Sequence, residues 1–455
     1  WQVTIIDLPL LPGGHYSSAY GINDSGRIVG VADDASGALK TVEWVNGQIA
    51  VIPDLGSGLA VPEDVNDAGE IVGHQNLGAS LSHAVYWDPQ NVASALPGLP
   101  NGSSARAKAH AINALGAVAG FAQEVAPNLY GHAVVWSQGS LVADLGFMGG
   151  GTYSEAYGIN DLGAVVGVAS IANTNQHAFL WQNGQFTDLS TWSGGGAASK
   201  AFAINNVGEI VGLNSSVASV WRNGAVQALP MPAGVSAFTP AIDINDAGDI
   251  IATGTVLFPN EVGVLWRNGS PINLGYLPGG TISRVRRINQ AGEIVGEARA
   301  SSGFFHAVKW VVSSPASTYC TAKVNSQGCT PTIAASGVPS ASSGAPFTVG
   351  AGNVLNRQNG IFFYGYAQQI APFQGGFKCM SNPVKRTPVQ NSAGSPQPTV
   401  DCSGVYSIDF NAWVQTGIDP VLAAGVEING QFWSRDSGSA STTGLTDAVH
   451  FVIGA

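Results

Sequence analysis

Charged side chains are scarce in this sequence, where Asp, Glu, Lys and Arg together make up 10% of the 455 residues. Those present are mostly acidic, with 29 acidic against 18 basic residues and a net charge of −11. This balance argues against nucleic acid as a partner, because phosphate binding needs a basic surface. No run of 18 apolar residues occurs, so we predict no transmembrane helix. No signal peptide is visible, and we expect a mature chain whose leader has been removed.

Cysteine is also sparse, and its four copies all follow residue 319, at Cys320, Cys329, Cys379 and Cys402. An even number confined to one region predicts two disulfides and therefore an oxidising compartment. A zinc site is the alternative, but no CxxC pair and no nearby His supports it. Of the three possible pairings we expect the sequential one, Cys320 with Cys329 and Cys379 with Cys402.

Glycine, by contrast, is abundant, with 60 residues, and much of it belongs to a repeat. The motif Ile-Asn-x-x-Gly followed by an apolar run recurs about every 44 residues. Its seven copies stand at residues 22–26, 65–69 (with Val65 in place of Ile), 112–116, 159–163, 204–208, 244–248 and 288–292. A Trp follows each copy at a matching distance, at Trp44, Trp87, Trp136, Trp181, Trp221, Trp266 and Trp310.

Each repeat is predicted to form four short antiparallel strands, as in a propeller blade. In the fourth repeat these strands are residues 156–159, 164–168, 177–181 and 185–189. A solenoid is the alternative, but it would need capping repeats at both ends. The seventh repeat stops after its third strand, and residues 2–9 match the missing fourth strand. We therefore predict a seven-bladed β-propeller over residues 1–312, closed by its N-terminal strand.

Four repeats carry a His-Ala pair at the start of the predicted third strand, at His83, His132, His177 and His306. With the adjoining Asp-Leu-Gly and Gly-Ile-Asn segments, residues 1–312 resemble the extracellular HAF repeat family of bacteria. That resemblance implies secretion or cell-surface display, and the family carries no agreed activity. The blades would keep the four His side chains apart, so we expect hydrogen bonds rather than a metal ion. The turns lack the ligand count of a calcium loop, and we predict no cofactor and no metal.

A second region follows the repeats. Residues 313–335 are rich in Ser, Thr and Pro and are expected to form a linker and the first disulfide loop. Residues 336–455 have strand-like runs separated by Gly, Ser and Pro, which predicts a disulfide-containing β-sandwich. Segments 372–376 and 431–436 resemble a C-terminal module appended to varied repeat domains in secreted bacterial proteins. The resemblance implies attachment, display or carbohydrate contact.

Candidate binding residues lie in the longer loops between blades and just before each motif Asn, where side chains depart from the repeat. Aromatic loop residues could stack on sugars or cover the seams between blades, and the charged ones could form a polar channel mouth or simple ion pairs. The candidates are His15, Tyr16, Glu63, Lys108, His110, Phe147, Tyr153, Glu155, Trp192, Lys200, Tyr276, Arg284 and Arg286.

The function favoured by these patterns is that of a secreted or cell-surface, non-catalytic binding or structural protein. Its loop face would contact glycan or protein, and its C-terminal sandwich would serve display or self-assembly, so a second copy of the chain is one candidate partner. No catalytic residue is assigned. The alternative is an extracellular carbohydrate-active enzyme, a polysaccharide lyase or glycoside hydrolase, with carboxylates at the channel mouth.

Overall fold

The computed structural model describes residues 1–56, 58–78, 81–99, 106–124, 129–172, 176–257, 259–313, 316–342, 344–396 and 398–454. The chain divides into two compact units. One is Val3–Val312, which we call the repeat unit, and the other is Ser313–Ala455 together with Trp1–Gln2, which we call the C-terminal unit. Among the described residues, no helix is long and apolar enough to cross a membrane.

The repeat unit consists of antiparallel sheets, and its first strand, β1 (Gln2–Asp7), belongs to the last of them. Sheet 1 contains β2 to β5, at Ser17–Ile22, Ile28–Asp33, Leu39–Val45 and Gln48–Val51. Sheet 2 contains β6 to β9, at Ala60–Val65, Ile71–Gly78, Leu81–Trp87 and Ala93–Ala95. Sheet 3 contains β10 to β13, at Ala107–Ile112, Ala117–Gln123, Gly131–Ser137 and Ser140–Gly146.

The next two sheets follow the same order. Sheet 4 contains β14 to β17, at Ser154–Ile159, Val165–Ser170, Gln176–Gln182 and Gln185–Asp188, and a 3-10 turn at Leu189–Thr191 follows. Sheet 5 contains β18 to β21, at Ser199–Ile204, Ile210–Asn214, Val217–Arg222 and Ala225–Ala228.

The last two sheets depart from this pattern in their outer or inner strand. Sheet 6 contains β22 to β26, at Ala237–Phe238, Asp243–Ile244, Ile250–Leu257, Asn260–Arg267 and Ser270–Asn273. Its first strand is split into β22 and β23 because Pro240 has no N–H to donate between them. Sheet 7 contains β27 to β29, at Ser283–Ile288, Glu293–Arg299 and Phe305–Ser313, and β1 occupies the place of a fourth strand beside β29.

The motif asparagines explain why the repeat needs Asn. Each Asn side-chain oxygen accepts a hydrogen bond from the backbone N–H four residues later and so closes its own turn. Each side-chain nitrogen donates to the backbone oxygen of the next motif Asn, at 3.0 to 3.2 Å. The seventh, Asn289, donates to Asn23 of the first repeat at 3.1 Å. In these turns the motif Gly adopts the left-handed backbone conformation, with φ of 81° at Gly26, and the motif Asn does not.

The repeated tryptophans pack between neighbouring sheets. Six of them are at most 1% exposed, and Trp181 is partly exposed. Trp44 donates its indole N–H to the backbone oxygen of Pro9, and Trp87, Trp136 and Trp266 make the same bond to Pro53, Pro97 and Pro230. Each of these prolines follows the outer strand of the preceding sheet, so one Trp both fills a core and ties two sheets together.

The C-terminal unit contains the remaining strands and one short helix. They are β30 (Ala316–Tyr319), β31 (Thr332–Ser336), β32 (Thr348–Val354), β33 (Asn359–Gly365), β34 (Gln368–Phe373), β35 (Gly376–Met380), β36 (Lys385–Arg386), β37 (Gln390–Asn391), β38 (Gly404–Asp409), α1 (Phe410–Gln415), β39 (Glu427–Arg435) and β40 (Thr443–Val452). Strands β30, β40, β39, β33, β36 and β37 form one sheet and β31, β32 and β38 another, while β34 and β35 form a hairpin. Side chains from both larger sheets share one hydrophobic core, which includes Phe347, Phe362, Phe432 and Phe451.

The predicted sequential disulfide pairing is wrong. The bridges join Cys320 to Cys379 and Cys329 to Cys402, with Cα–Cα distances of 6.3 and 6.5 Å. Chain spacing misled the prediction because the long-range strand pairing, not proximity in sequence, decides which cysteines meet. The expected linker and first disulfide loop, 313–335, includes β30 and most of β31, and its residues 314–315 lie outside the described part.

The coarse fold prediction is confirmed. The described residues are all-β apart from the 3-10 turn and the short helix α1, four-stranded antiparallel sheets recur along the repeats, and two disulfides join the four cysteines. The predicted boundaries inside a repeat are also close, since strand 177–181 is observed as Gln176–Gln182.

Candidate functional site

A β-bulge sets the direction of one side chain in the first strand of six sheets. In sheet 4, Ala156 pairs with Gly167 and Gly158 with Val166, so Tyr157 is the extra, unpaired residue. The same register shift occurs at the corresponding residues of sheets 1, 2, 3, 5 and 7, at Tyr20, Glu63, His110, Phe202 and Arg286. Bulges commonly re-aim a side chain beside a functional site.

We call these six residues, together with the charged residues two positions before them, the mouth. The added members are Lys108, Glu155, Lys200 and Arg284. Within it, Glu155 is the most highly connected side chain. Its carboxylate accepts hydrogen bonds from the hydroxyls of Tyr153 and of Tyr157, the latter at 2.8 Å, and lies 2.9 Å from His110 Nε2.

The electrostatic result is that Glu155 stays ionised. Burial opposes the charge, but the hydrogen bonds from His110, Tyr153 and Tyr157 prevail and lower the pKa of Glu155 to about 2. Burial and the Glu155 charge raise the pKa of both tyrosines, which therefore remain protonated donors. Glu155 can accept hydrogen bonds from a ligand at physiological pH, but it cannot carry a proton there.

Next to this carboxylate lies a run of rings. His110 and Tyr157 have ring centroids 5.3 Å apart, and Tyr157 stacks on Phe202 at 5.1 Å with an interplanar angle of 23°. Lys108 and Lys200 are partly buried and have no ion-pair partner among the described residues. The arrangement presents an aromatic surface, a fixed negative charge and two unpaired positive charges.

In the opposite part of the mouth, Glu63 and Arg284 have ion-pair partners, whereas Arg286 has none among the described residues. A carboxylate oxygen of Glu63 lies 3.2 Å from His74 Nδ1. Burial alone would raise the pKa of Glu63, but His74, His110 and Arg287 outweigh burial, and the net effect is a lowered pKa. Arg286 covers the ring of Tyr20 at 5.1 Å. Arg284 pairs with both Glu261 and Glu297.

Below the mouth, Arg287 joins two sheets that are distant in the chain. Its guanidinium donates to the backbone oxygen of His110 at 3.1 Å and lies 3.8 Å from Asp64. An inner cavity of about 150 Å³ is lined by Arg287, Asp64, Asp243, Tyr157 and Phe202, among others. Burial raises the pKa of Asp243 to about 6, although Arg287 acts in the opposite direction.

Several predicted site residues lie outside this cluster. His15 packs on Phe304 with ring centroids 5.5 Å apart, and the nearby Tyr16 has its pKa raised to about 12 by burial first and by Glu297. Phe147 packs edge-on against His132 at 4.5 Å. Trp192 and Tyr276 are partly buried against hydrophobic clusters between sheets.

The repeated histidines form hydrogen bonds, as expected, in three of four repeats. His132, His177 and His306 lie 2.8 to 3.1 Å from Asp144, Asp188 and Asp7 on the neighbouring outer strand. The structure brings no three His, Cys, Asp or Glu residues together in a metal-binding group within the described residues.

The turn aspartates hold neighbouring turns together. Asp67, Asp161 and Asp246 each accept a hydrogen bond from a backbone N–H of the preceding repeat, at 2.7 to 2.8 Å. Asp24 accepts the corresponding bond from Gln290 N–H of the seventh repeat at 2.7 Å. These carboxylates line a cavity of about 260 Å³ on the turn side of the sheets.

Tyr20, Tyr157 and Phe202 also belong to the site, although they were not among the residues predicted from the sequence. The signal was available, because they occupy the same repeat position as Glu63, His110 and Arg286. The bulge directs the side chain at this position into the mouth whether that side chain is charged or aromatic.

No protein-family model and no curated protein matches this chain. Similar solved structures include a prolyl endopeptidase, at 11% identity and a TM-score of 0.47, covering 72% of this chain and 53% of that one. Another is YCF48 bound to D1 peptide, at 13% identity and a TM-score of 0.40, covering 68% of this chain and 97% of that one. A third is the Aleuria aurantia lectin AAL in complex with a fucosyl-GlcNAc glycan, at 10% identity and a TM-score of 0.34. It covers 66% of this chain and 96% of that one. At these values the likenesses assign no function.

Proposed function

We propose that the seven sheets are the blades of a closed β-propeller, that β1 completes the seventh blade, and that the C-terminal unit is a β-sandwich. The chain of Asn hydrogen bonds supports closure, since it returns from Asn289 to Asn23. Leu8 N–H donates to Ala307 at 3.0 Å, and Asp7 pairs with His306 as outer-strand aspartates do elsewhere. The HAF-like repeat motif remains part of this proposal.

The function that this geometry supports best is non-catalytic binding by a secreted or cell-surface protein, with the mouth contacting a glycan or a protein. The observation that carries the proposal is Glu155, whose pKa of about 2 and three donors make it a fixed acceptor rather than a proton carrier. The two disulfides support an extracellular location.

A glycan suits the mouth better than an apolar ligand does. Sugar hydroxyls can donate to Glu155, and the C–H face of a sugar ring can pack on the stacked Tyr157 and Phe202. Lys108 and Lys200 can donate to ring oxygens or to an acidic substituent. The C-terminal unit would then display the propeller or assemble copies of the chain. Sedimentation of the pure protein would reveal such assembly.

Screening the purified chain on a glycan array, followed by calorimetric titration of the best hit, tests the proposal. Phe202→Ala and Glu155→Gln should each weaken binding about tenfold or more, because central contacts carry most of the binding free energy. Leu162→Ala is the control, since Leu162 is 71% exposed on the turn side. Glycan binding that survives both mouth substitutions would contradict the proposed face. If the chain instead binds a protein and no glycan, and both substitutions abolish that binding, the partner of the mouth is that protein.

A polysaccharide lyase is the second candidate, favoured by the contact between His110 and Tyr157 in a mouth that also carries Arg286. In such a reaction, one of the two would remove the proton next to a sugar carboxylate and the other would protonate the departing glycosidic oxygen. Arg286 would neutralise the carboxylate. Ultraviolet absorbance of an unsaturated product, abolished by His110→Ala and Tyr157→Phe, would establish this activity; binding without product excludes it.

A further inference from the structure

The C-terminal unit has a pocket of about 470 Å³ on the sheet face that lies away from its main core. Strand alternation creates it: Phe432 of β39 is 1% exposed in the core, whereas Trp433 is partly exposed on the opposite face. There Trp433 and Phe373 pack on a small cluster that includes Phe363. The hairpin β34–β35 contributes a wall of the pocket, so three aromatic side chains line one cavity.

Two sequence segments with no role in the repeat unit meet at this pocket. Segment 372–376 forms the tip of the hairpin, and segment 431–436 belongs to β39. They are joined by a hydrogen bond from Trp433 Nε1 to Gln374 Oε1 at 2.8 Å. This bond orients the indole and leaves the amide nitrogen of Gln374 to donate to a ligand.

The charge of the pocket is opposite to that of the chain. Lys378 and Arg386 both line it, and no Asp or Glu is among its described lining residues. Lys378 donates to the neutral amide of Asn382 at 3.0 Å, and Arg386 is exposed without an ion-pair partner in the described part of the chain. Two cations beside an aromatic floor, in a protein of net charge −11, favour an anionic ligand.

We infer that this pocket binds an acidic sugar, that is, a glycan with carboxylated rings such as a uronic acid. The sugar ring packs on Trp433 and Phe373, its carboxylate pairs with Arg386 and Lys378, and a hydroxyl accepts from Gln374. A uronic acid carries an apolar ring face and a carboxylate in one residue, and the pocket carries aromatic side chains and two cations in one cavity. All of the residues that line this site belong to the C-terminal unit.

Calorimetric titration of the full chain with an oligomer of galacturonic acid tests the inference. Arg386→Gln and Lys378→Gln should each weaken binding about tenfold, and added salt should weaken it for the unsubstituted chain. Both side chains are at the surface, so neither substitution should affect folding. Arg357→Gln, which removes one exposed charge from the same unit, is the matched control and should leave binding unchanged.

Comparison ligands identify the occupant. The carboxyl-reduced form of the same oligomer should bind at least about tenfold more weakly, because it keeps the rings and loses the charge. Equal binding of the reduced oligomer, no binding of the acidic one, or tighter binding of a peptide with a C-terminal aromatic residue would each overturn the inference. Loss of binding in Phe202→Ala but not in Arg386→Gln would assign the oligomer to the mouth instead and would also overturn it.

Discussion

At the scale of single residues, the motif asparagines are the most consequential side chains of the repeat unit. Asn160 is 5% exposed, accepts from Ala164 N–H and donates to the backbone oxygen of Asn205. The repeated sequence motif already marked this Asn as part of every repeat. It could not identify the second bond, because that partner lies 45 residues away in the next sheet.

Replacing Asn160 should therefore destabilise more than one turn. Asn160→Ala leaves a buried donor and a buried acceptor unsatisfied, and we expect a loss of about 2–4 kcal/mol in the free energy of unfolding in urea. Leu162→Ala in the same turn should change it by less than about 0.5 kcal/mol, since Leu162 is 71% exposed. Equal effects of the two substitutions would show that the bond between sheets contributes little.

A second residue-scale prediction concerns Asp243. Burial raises its pKa from 3.8 to about 6, so the folded state binds a proton that the unfolded state releases between these values. The stability that this bound proton contributes is fully present below pH 3.8 and is lost as the pH rises through about 6. Asp243→Asn should remove this contribution, on the order of 3 kcal/mol, and flatten the profile.

Urea unfolding midpoints at several pH values between 3.5 and 7, roughly the range bracketing both pKa values, check this expectation. The asparagine oxygen can still accept from Ile288 N–H, which donates to Asp243 at 2.9 Å. A variant whose profile keeps the original slope would show that Asp243 does not cause it.

At the scale of the secondary-structure elements, the bulge couples a glycine to the mouth. A Cβ placed on Gly167 would lie 2.0 Å from the backbone oxygen of Glu155, so β15 approaches β14 too closely for any side chain. Strand existence followed from alternation and hairpin turns in the sequence. The bulge could not be predicted in this way, because it depends on the close approach of the Glu155 backbone to Gly167.

Gly167→Ala should accordingly disturb both stability and the mouth. We expect a loss of about 3 kcal/mol by urea unfolding, because the methyl group must displace the Glu155 peptide. Any ligand of the mouth should bind more weakly to the folded variant. Gly344→Ala is the matched control, since its added methyl would meet nothing within 4 Å. A Gly167→Ala protein as stable as this control would contradict the close approach.

At the scale of the whole molecule, β1 decides whether the seventh sheet is complete. Val3 and Ile5 are partly buried against a cluster that contains Val285 and Trp310, whereas Thr4 and Ile6 face solvent. The double variant Val3→Ala/Ile5→Ala should lose roughly 2–4 kcal/mol of unfolding free energy. Thr4→Ala/Ile6→Ala should lose much less, and deletion of residues 1–10 should lose more than either.

Urea unfolding of these variants, with a synthetic peptide of residues 1–10 added to the deletion variant, measures the contribution of β1. Recovery of stability by the peptide is expected if the strand docks by itself. Equal losses in the two double variants would contradict the role of β1 as the fourth strand of sheet 7.

The sequence by itself determined the number and phase of the repeats, the strand order within each repeat, and the fate of the cysteines as disulfides. These features are local or periodic, so turn residues and alternation encode them. Only the tertiary structure decided which cysteines pair, which side chains the bulges direct into the mouth, and that Trp433 and Gln374 meet in one pocket. Those outcomes depend on backbone approaches between segments tens of residues apart, and no local pattern specifies them.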